Sequence, residues 1–150
     1  MQIDFRKCEY SDLDYILKLK ELGMKWYIEK IYGWDIEFQK YVTKQELDKH
    51  INDMRMVLVD DNIVGVTTFY EEDNKYVVGL ILIHPDYQGK GIATKIISEY
   101  IDIARKDKKE IIIKTYKENP ARRLYERLGF KIYEEDKTHV HMSIDFREEK

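Results

Sequence analysis

The spacing of hydrophobic and polar residues predicts helices in the first third of the chain. Ile3 to Cys8 alternates with period two, which indicates a strand. Ser11 then stands where a helix N-cap belongs, ahead of apolar residues at helical spacing, and Gly23 is expected to end that helix. A second helical set closes at Gly33, and a third is expected from Asp35 to Val42.

Thr43 to Glu46 has the form of a capping box, although it also fits inside one continuous helix. Beyond this segment, the pattern in the middle of the chain changes to strands. Met56 to Val59 and Ile63 to Tyr70 are apolar runs separated by Asp60 to Asn62, which predicts a hairpin with a tight turn. Lys75 to Ile83 follows as a third strand and is mostly apolar, as expected of a buried strand.

The last part of the chain continues the alternation of helix and strand. A long amphipathic helix is expected to begin near Gly89, and Glu110 to Tyr116 forms the next strand. Gly129 ends a short helix, and Phe130 to Tyr133 pairs with Thr138 to Phe146. This order predicts an α/β fold, a single domain over residues 1–150 with a mixed, mostly antiparallel sheet flanked by helices.

The connection between the strand Lys75 to Ile83 and the long helix is suited to binding an anion. His84, Pro85 and Asp86 break the strand, and two glycines precede the helix. The first N–H groups of a helix have no partner within it and lie at positive potential. Gly89 and Gly91 lack a Cβ, so a phosphate can approach the backbone closely. A plain turn before a helix is the alternative interpretation, and the P-loop and dinucleotide motifs are absent.

Two motifs together resemble the GNAT family of N-acetyltransferases. Gln88 to Ala93 fits the pattern Gln/Arg-x-x-Gly-x-Gly/Ala, which is similar to the acetyl-CoA motif of that family. Asn119 to Phe130 is similar to the family's C-terminal helix, with its Asn, Ala, Leu-Tyr and Gly-Phe positions. The resemblance runs from about Val64 to Ile144, and it implies the GNAT fold, whose sheet separates after the central strand to admit acetyl-CoA.

The resemblance also assigns roles to individual residues. It implies that the backbone of Ile81, Leu82 and Ile83 pairs with the pantetheine arm of the cofactor. It implies that the diphosphate is held by Gln88, Gly89, Lys90, Gly91, Ile92, Ala93 and Thr94. Asn119 would also contact the cofactor, although an N-cap ahead of Pro120 explains this residue as well.

Tyr125 matches the family tyrosine that protonates the leaving thiolate, and packing against the buried helix face is the competing explanation. The general base is left open. Relatives often use a carboxylate on the central strand, and Tyr76 to Ile83 contains none. The remaining candidates are the histidines, the acidic turn or a water chain; the side chains concerned are His84, His139, His141, Glu71 and Glu72.

Composition and charge narrow the classes of molecule that the protein is expected to bind. The net charge of −3 combines balances of −6 over residues 1–87, +6 over 88–131 and −3 over 132–150. The basic middle suits a nucleotide cofactor, whereas the acidic remainder favours a cationic amine. Neither nucleic acid nor membrane is an expected partner, and no residue set has metal-ligand spacing. The single cysteine, Cys8, and the absence of a signal peptide are consistent with the cytoplasm.

The sequence therefore predicts an acetyl-CoA-dependent N-acetyltransferase acting on a small amine, an amino acid or a peptide amine by direct attack in a ternary complex. An aromatic and acidic cluster in the N-terminal helices is the expected acceptor surface, unless its members serve packing and capping: Trp26, Tyr27, Tyr32, Trp34, Asp35 and Glu37. A non-catalytic acyl-CoA-binding regulatory domain is the alternative. Similar proteins are commonly homodimers, but the sequence does not determine the oligomeric state.

Overall fold

The computed structural model describes residues 1–148 and contains one seven-stranded sheet with four α-helices. The strands follow the order β1-β2-β3-β4-β5-β7-β6 across the sheet. The elements are β1 (Ile3–Lys7), α1 (Leu13–Tyr32), α2 (Ile36–His50), β2 (Met54–Val59), β3 (Asn62–Glu72), β4 (Lys75–Ile83), α3 (Ile92–Lys106), β5 (Glu110–Tyr116), α4 (Arg122–Arg127), β6 (Lys131–Glu135) and β7 (His139–Asp145).

The strand pairing confirms the predicted mixed, mostly antiparallel sheet. The pairs β1–β2, β2–β3, β5–β7 and β6–β7 are antiparallel, and β4–β5 is parallel. The parallel register joins Tyr76–Val78 to Ile111–Ile113 and ends there, partway along both strands. Asp60 and Asp61 both have positive φ, at 49° and 70°, which is the geometry of the predicted tight hairpin turn between β2 and β3.

One compact unit comprises residues 1–68 and 80–92. Its core is apolar side chains from both N-terminal helices and from the strands beneath them: Cys8, Ile16, Leu19, Leu47, Met54, Met56 and Val66. Because each fully buried aliphatic side chain contributes roughly 1.5–3 kcal/mol, this cluster stabilises the helices more than their own propensities do.

The predicted helix break at Gly23 is wrong, because α1 continues through it to Tyr32. A glycine inside a helix costs about 1 kcal/mol relative to alanine, and burial of Tyr27 and Ile28 beyond it outweighs that cost. The helix ends at Gly33, where φ is 77° and the N–H donates to the Glu29 carbonyl at 2.9 Å. This end agrees with the prediction.

The predicted N-cap at Ser11 is also wrong. Asp12 occupies the turn before α1, where its carboxylate accepts the Glu9 N–H at 2.8 Å and two hydrogen bonds from the Arg6 guanidinium. The Ser11 hydroxyl instead donates to the Glu9 carboxylate at 3.4 Å. Glu9 and Asp12 form a reciprocal capping box around the short turn Tyr10–Asp12 that precedes α1, and this box takes the place of a cap by Ser11.

Helix α2 is continuous, so Thr43 does not begin a new helix. Asp35 caps it by accepting the N–H groups of Glu37 and Phe38 at 3.0 and 3.2 Å. The Thr43 hydroxyl donates to the Gln39 carbonyl one turn earlier and accepts from the Lys20 ammonium at 2.9 Å.

The second compact unit comprises residues 69–79 and 93–148 of the described chain. The apolar face of α3 is buried there, including Ile96, Ile97, Tyr100 and Ala104. Tyr100 stacks on Phe69 with ring centroids 4.0 Å apart. This burial confirms the amphipathic helix predicted from the sequence, although its first residue is Ile92, three positions later than Gly89.

Candidate functional site

The segment between β4 and α3 is an exposed loop, and two of its side chains, those of His84 and Gln88, form hydrogen bonds that hold the loop in shape. His84 ends the strand, and its ring Nδ1 accepts the Asp86 N–H at 3.1 Å, which caps the short turn Pro85–Tyr87. The Gln88 amide donates to the Ile83 carbonyl at 2.9 Å and so ties the loop to the end of the strand. His84 is thereby committed to the turn, which argues against its use as the general base.

The two glycines of this loop have the conformation and the open space that anion binding requires. Gly89 and Gly91 have φ values of 75° and 82°, and a Cβ added to either would find no atom within 4 Å. The side chain of Lys90 is exposed between them. Helix α3 begins at Ile92, which is buried, and Ala93 and Thr94 continue its first turn. The first N–H groups of the helix therefore follow a segment without side-chain cover.

Ile81, Leu82 and Ile83 form the last residues of β4, immediately before the loop. The His84 N–H donates to the Val64 carbonyl at 2.7 Å. Gly65 lies so close that a Cβ there would be 2.5 Å from the Leu82 carbonyl oxygen and 2.9 Å from the Ile83 side chain. Glycine at position 65 therefore sets how closely the backbone of β3 approaches this end of β4.

Asn119 and Tyr125 belong to the second unit. The Asn119 side chain accepts the Ala121 N–H at 3.0 Å and donates to the Thr115 hydroxyl at 2.8 Å. It therefore caps the turn that leads into α4, as expected, although the helix itself starts at Arg122. The amide of Asn119 retains a second N–H that these two bonds do not use.

Tyr125 is 2% exposed and packs edge-on against Phe130, with ring centroids 6.2 Å apart. Burial raises the pKa of its phenol above the ordinary value, so the group keeps its proton at neutral pH. Within residues 1–148 no hydrogen bond to the phenol is present. The residue therefore packs, as one interpretation expected, and its phenol is protonated.

The other candidates for the general base differ in how far their polar atoms already take part in salt bridges and hydrogen bonds. The Glu71 carboxylate forms a salt bridge of 2.7 Å with Lys109. The ring of His139 packs at a tilt against Tyr116, with ring centroids 4.0 Å apart, and its Nδ1 lies 2.7 Å from the Thr138 hydroxyl. Burial lowers the pKa of His139, which favours the neutral ring.

His141 and Glu72 line a pocket of about 450 Å³ in the second unit. The Nε2 atom of His141 lies 3.4 Å from the Asp136 carboxylate. Strands β3 to β7 supply the lining, which is Tyr70, Glu72, Asp73, Lys75, Val77, Val78, Gly79, Ile112, Ile113, Lys114, Tyr133 and His141. Sequence reasoning offered His141 and Glu72 only as separate candidates for the general base and missed the pocket that they share, although the alternating histidines at positions 139 and 141 indicated that one face of the last strand is polar.

The aromatic cluster expected to recognise the acceptor is divided by the fold. Tyr27 is 1% exposed and belongs to the core, whereas Trp26 is 49% exposed, with the Lys30 ammonium 5.7 Å from the centre of its ring. Asp35 is used as the cap of α2. Capping and packing thus account for Asp35 and Tyr27, and an acceptor role for the exposed aromatics stays a prediction.

Residues 1–148 contain no group of three or more His, Cys, Asp or Glu side chains arranged to hold a metal ion. In the same part of the chain, the helices are too short or too polar for any of them to cross a membrane.

The sequence matches a protein-family model, and the structure is similar to solved structures. The model described as "Acetyltransferase (GNAT) domain" matches residues 27–145. No curated protein matches the sequence.

Similar solved structures include the PaiA N-acetyltransferase of Thermoplasma acidophilum in complex with coenzyme A, at 22% identity and a TM-score of 0.78, covering 97% of this chain and 100% of that one. PH1933 of Pyrococcus horikoshii OT3 has 21% identity and a TM-score of 0.77, covering 96% and 98%. The ribosomal-protein-S18-alanine N-acetyltransferase of Escherichia coli has 15% identity and a TM-score of 0.67, covering 97% and 94%. At these identities the likeness concerns the fold.

Proposed function

The chain belongs to the GNAT family of acetyltransferases, and on that basis we propose that it transfers the acetyl group of acetyl-CoA to a primary amine. We treat residues 1–150 as one N-acetyltransferase domain. The acceptor is a small molecule, an amino acid or a peptide with a free amine. The observation that carries the proposal is the open, glycine-lined loop at the start of α3.

The loop suits the diphosphate of coenzyme A because its geometry leaves backbone donors uncovered. In the proposal, Gln88 to Thr94 donate backbone N–H groups to the phosphates, and Lys90 adds a positive charge at the rim. A side chain at position 89 or 91 would occupy the space that a phosphate needs. The backbone of Ile81 to Ile83 pairs with the pantetheine arm, and the unused N–H of Asn119 contacts the cofactor.

The reaction requires a neutral amine, a stabilised thioester oxygen and a proton for the departing sulfur. Acetyl-CoA supplies the activated acetyl group. Tyr125 donates a proton to the sulfur, and its burial keeps that proton in place before the reaction. The ammonium of the acceptor titrates near 10, so a base must remove its proton at neutral pH.

The burial and protonation of the only cysteine support direct attack of the amine on acetyl-CoA, without a covalent enzyme intermediate. Cys8 is buried in the core of the first unit, and burial raises the pKa of its thiol to about 11. A thiol of that pKa is protonated at neutral pH and is a poor nucleophile. The unreactive thiol supports our proposal that the amine attacks acetyl-CoA directly in a ternary complex. A cationic acceptor, a cytoplasmic location and a homodimer stay predictions from the sequence.

The test is release of free thiol from acetyl-CoA in the presence of a panel of amines. We expect turnover with at least one amine class, and we expect Tyr125→Phe to lower kcat by about 10²-fold or more while the affinity for acetyl-CoA changes little. Phe130→Leu, which alters packing beside the phenol and keeps the hydroxyl, is the matched control. Unchanged kcat in Tyr125→Phe, with chemistry rate-limiting, would remove Tyr125 from the mechanism.

The alternative of a non-catalytic acyl-CoA-binding regulatory domain predicts a different result in the same experiment. Coenzyme A would bind tightly, and no amine would release thiol. The missing carboxylate on β4 is the observation that favours this alternative.

A further inference from the structure

The pocket of the second unit places a histidine–carboxylate pair at one end and unpaired carboxylates at the other. We propose that it is the acceptor site, with His141 as the general base and Glu72 and Asp73 as the binding site for a second positive charge on the acceptor. This assignment rests on the proposed acetyl transfer, and it names the base that the sequence left open.

The strand registers fix which residues lie at each end. Glu72 and Lys75 flank the two-residue turn of the β3–β4 hairpin, so they mark one end. Gly79 and Lys114 each lie one residue beyond the last parallel pair, Val78 and Ile113, and Lys114 is opposite His141. Lys75 to Gly79 covers four residues along the strand, so the ends are about 13 Å apart.

The end with His141 is equipped for proton transfer. The Asp136 carboxylate lies 3.4 Å from Nε2 of His141 and orients the ring; with Nε2 as the donor to this carboxylate, Nδ1 is left to accept a proton. The ammonium of Lys114 beside it disfavours a second positive charge, so an amine bound there loses its proton more readily. Gly79 leads directly into Leu80–Ile83, the residues proposed for the pantetheine arm.

The opposite end is suited to binding a cation. Lys75 is neutralised by Glu110 at 3.2 Å, whereas Glu72 and Asp73 form no salt bridge within residues 1–148. Two carboxylates without a cation then face the same pocket, with the rings of Tyr70 and Tyr133 also in its lining. A linear amine whose second ammonium lies about 13 Å from the reacting nitrogen matches this spacing.

The proton transfers balance as follows. The acceptor ammonium gives one proton to Nδ1 of His141, which passes it to solvent. The amine nitrogen then forms a bond to the carbonyl carbon of the acetyl group as the carbon–sulfur bond breaks. The sulfur takes the proton of Tyr125, the nitrogen loses its second proton to solvent, and Tyr125 regains a proton from solvent.

The experiment compares two variants with two neighbours that do not line the pocket. His141→Gln is expected to lower kcat by about 10²-fold at neutral pH and to remove the rise of kcat with pH, whereas His139→Gln leaves both unchanged. Glu72→Gln is expected to raise KM about tenfold for a linear diamine and little for the monoamine of the same length, whereas Glu71→Gln raises neither. KM for acetyl-CoA and the thermal unfolding midpoint serve as folding controls.

Several charged and titratable groups lie around His141 and contribute to the pH dependence of kcat. They are Lys114 on β5, Glu134 and Tyr133 on β6, Asp136 in the turn, and Glu72, Asp73 and Lys75 across the pocket.

The outcomes separate this inference from the proposed function. If the wild type releases thiol with an amine and His141→Gln retains full kcat and its pH dependence, the assignment of the base is wrong while acetyl transfer stands. Equal loss for mono- and diamines in Glu72→Gln, or turnover of peptides with a free N-terminus at the expense of diamines, overturns the acceptor class. No thiol release with any amine overturns both.

Discussion

Replacing Gly91 by alanine separates the cost of backbone strain from the loss of a binding surface. Gly91 has φ of 82°, and the space around its missing Cβ is open. An L-residue in this left-handed region costs about 1–2 kcal/mol, so Gly91→Ala should lower the unfolding midpoint by about 4 °C for a domain of this size. No steric clash within the described protein adds to this cost.

The effect on cofactor affinity should be larger than the effect on stability. If the loop binds the diphosphate, the added methyl group displaces at least one hydrogen bond between a backbone N–H and a charged oxygen. Such a bond contributes about 1.5–3 kcal/mol, which corresponds to a rise of about tenfold to a hundredfold in Kd for coenzyme A. Isothermal titration calorimetry of coenzyme A, run beside thermal unfolding of the same samples, measures both quantities.

Gly33 provides the matched control. It also has positive φ, at 77°, and open space at its Cβ position, and its ψ of 173° is essentially restricted to glycine. Gly33→Ala should therefore cost at least as much stability as Gly91→Ala and leave the Kd for coenzyme A unchanged. Equal affinities of Gly91→Ala and the wild type would refute the placement of the diphosphate at this loop.

Two further predictions concern stability in the first unit. The Lys20 ammonium is 4% exposed and is held by Glu46 and Thr43, so Glu46→Gln should cost about 3 kcal/mol in urea unfolding, whereas Lys20→Met should cost little; equal costs would contradict this account. Hydrogen bonds from Arg6 lower the pKa of Asp12 below 3.8, so its contribution is complete above that pH and is lost as pH falls through the lower folded-state pKa. Asp12→Asn should therefore remove part of the acid sensitivity seen in pH-dependent thermal unfolding, and an unchanged pH profile would argue against it.

Local patterns predicted the elements whose residues are neighbours in the chain. The β2–β3 turn, α3 and the stop at Gly129 depend on a few adjacent residues, and all three are present. The two errors in α1 arose where distant residues decide the outcome. Burial of Tyr27 carries the helix past Gly23, and the turn before α1 is capped by Glu9 and Asp12, which Arg6 also binds, instead of by Ser11.

The two candidate sites differ in the same way. The glycine loop is one continuous segment, so its spacing was readable in the sequence. The pocket takes residues from five strands that are up to 71 positions apart, Tyr70 and His141 being the extremes. Only the strand registers bring Glu72, Lys114 and His141 to one face, and a sequence without those registers does not define them.

Position 65 has room for a hydrogen atom and nothing larger. Alanine there would force the Leu82 carbonyl away, and the shift would pass along the main chain to Ile81 and Ile83. Selection for a folded chain and selection for cofactor affinity would then act on the same atom pair. If all twenty amino acids were tested at position 65, the variants that keep the fold or the affinity for the cofactor should carry glycine there.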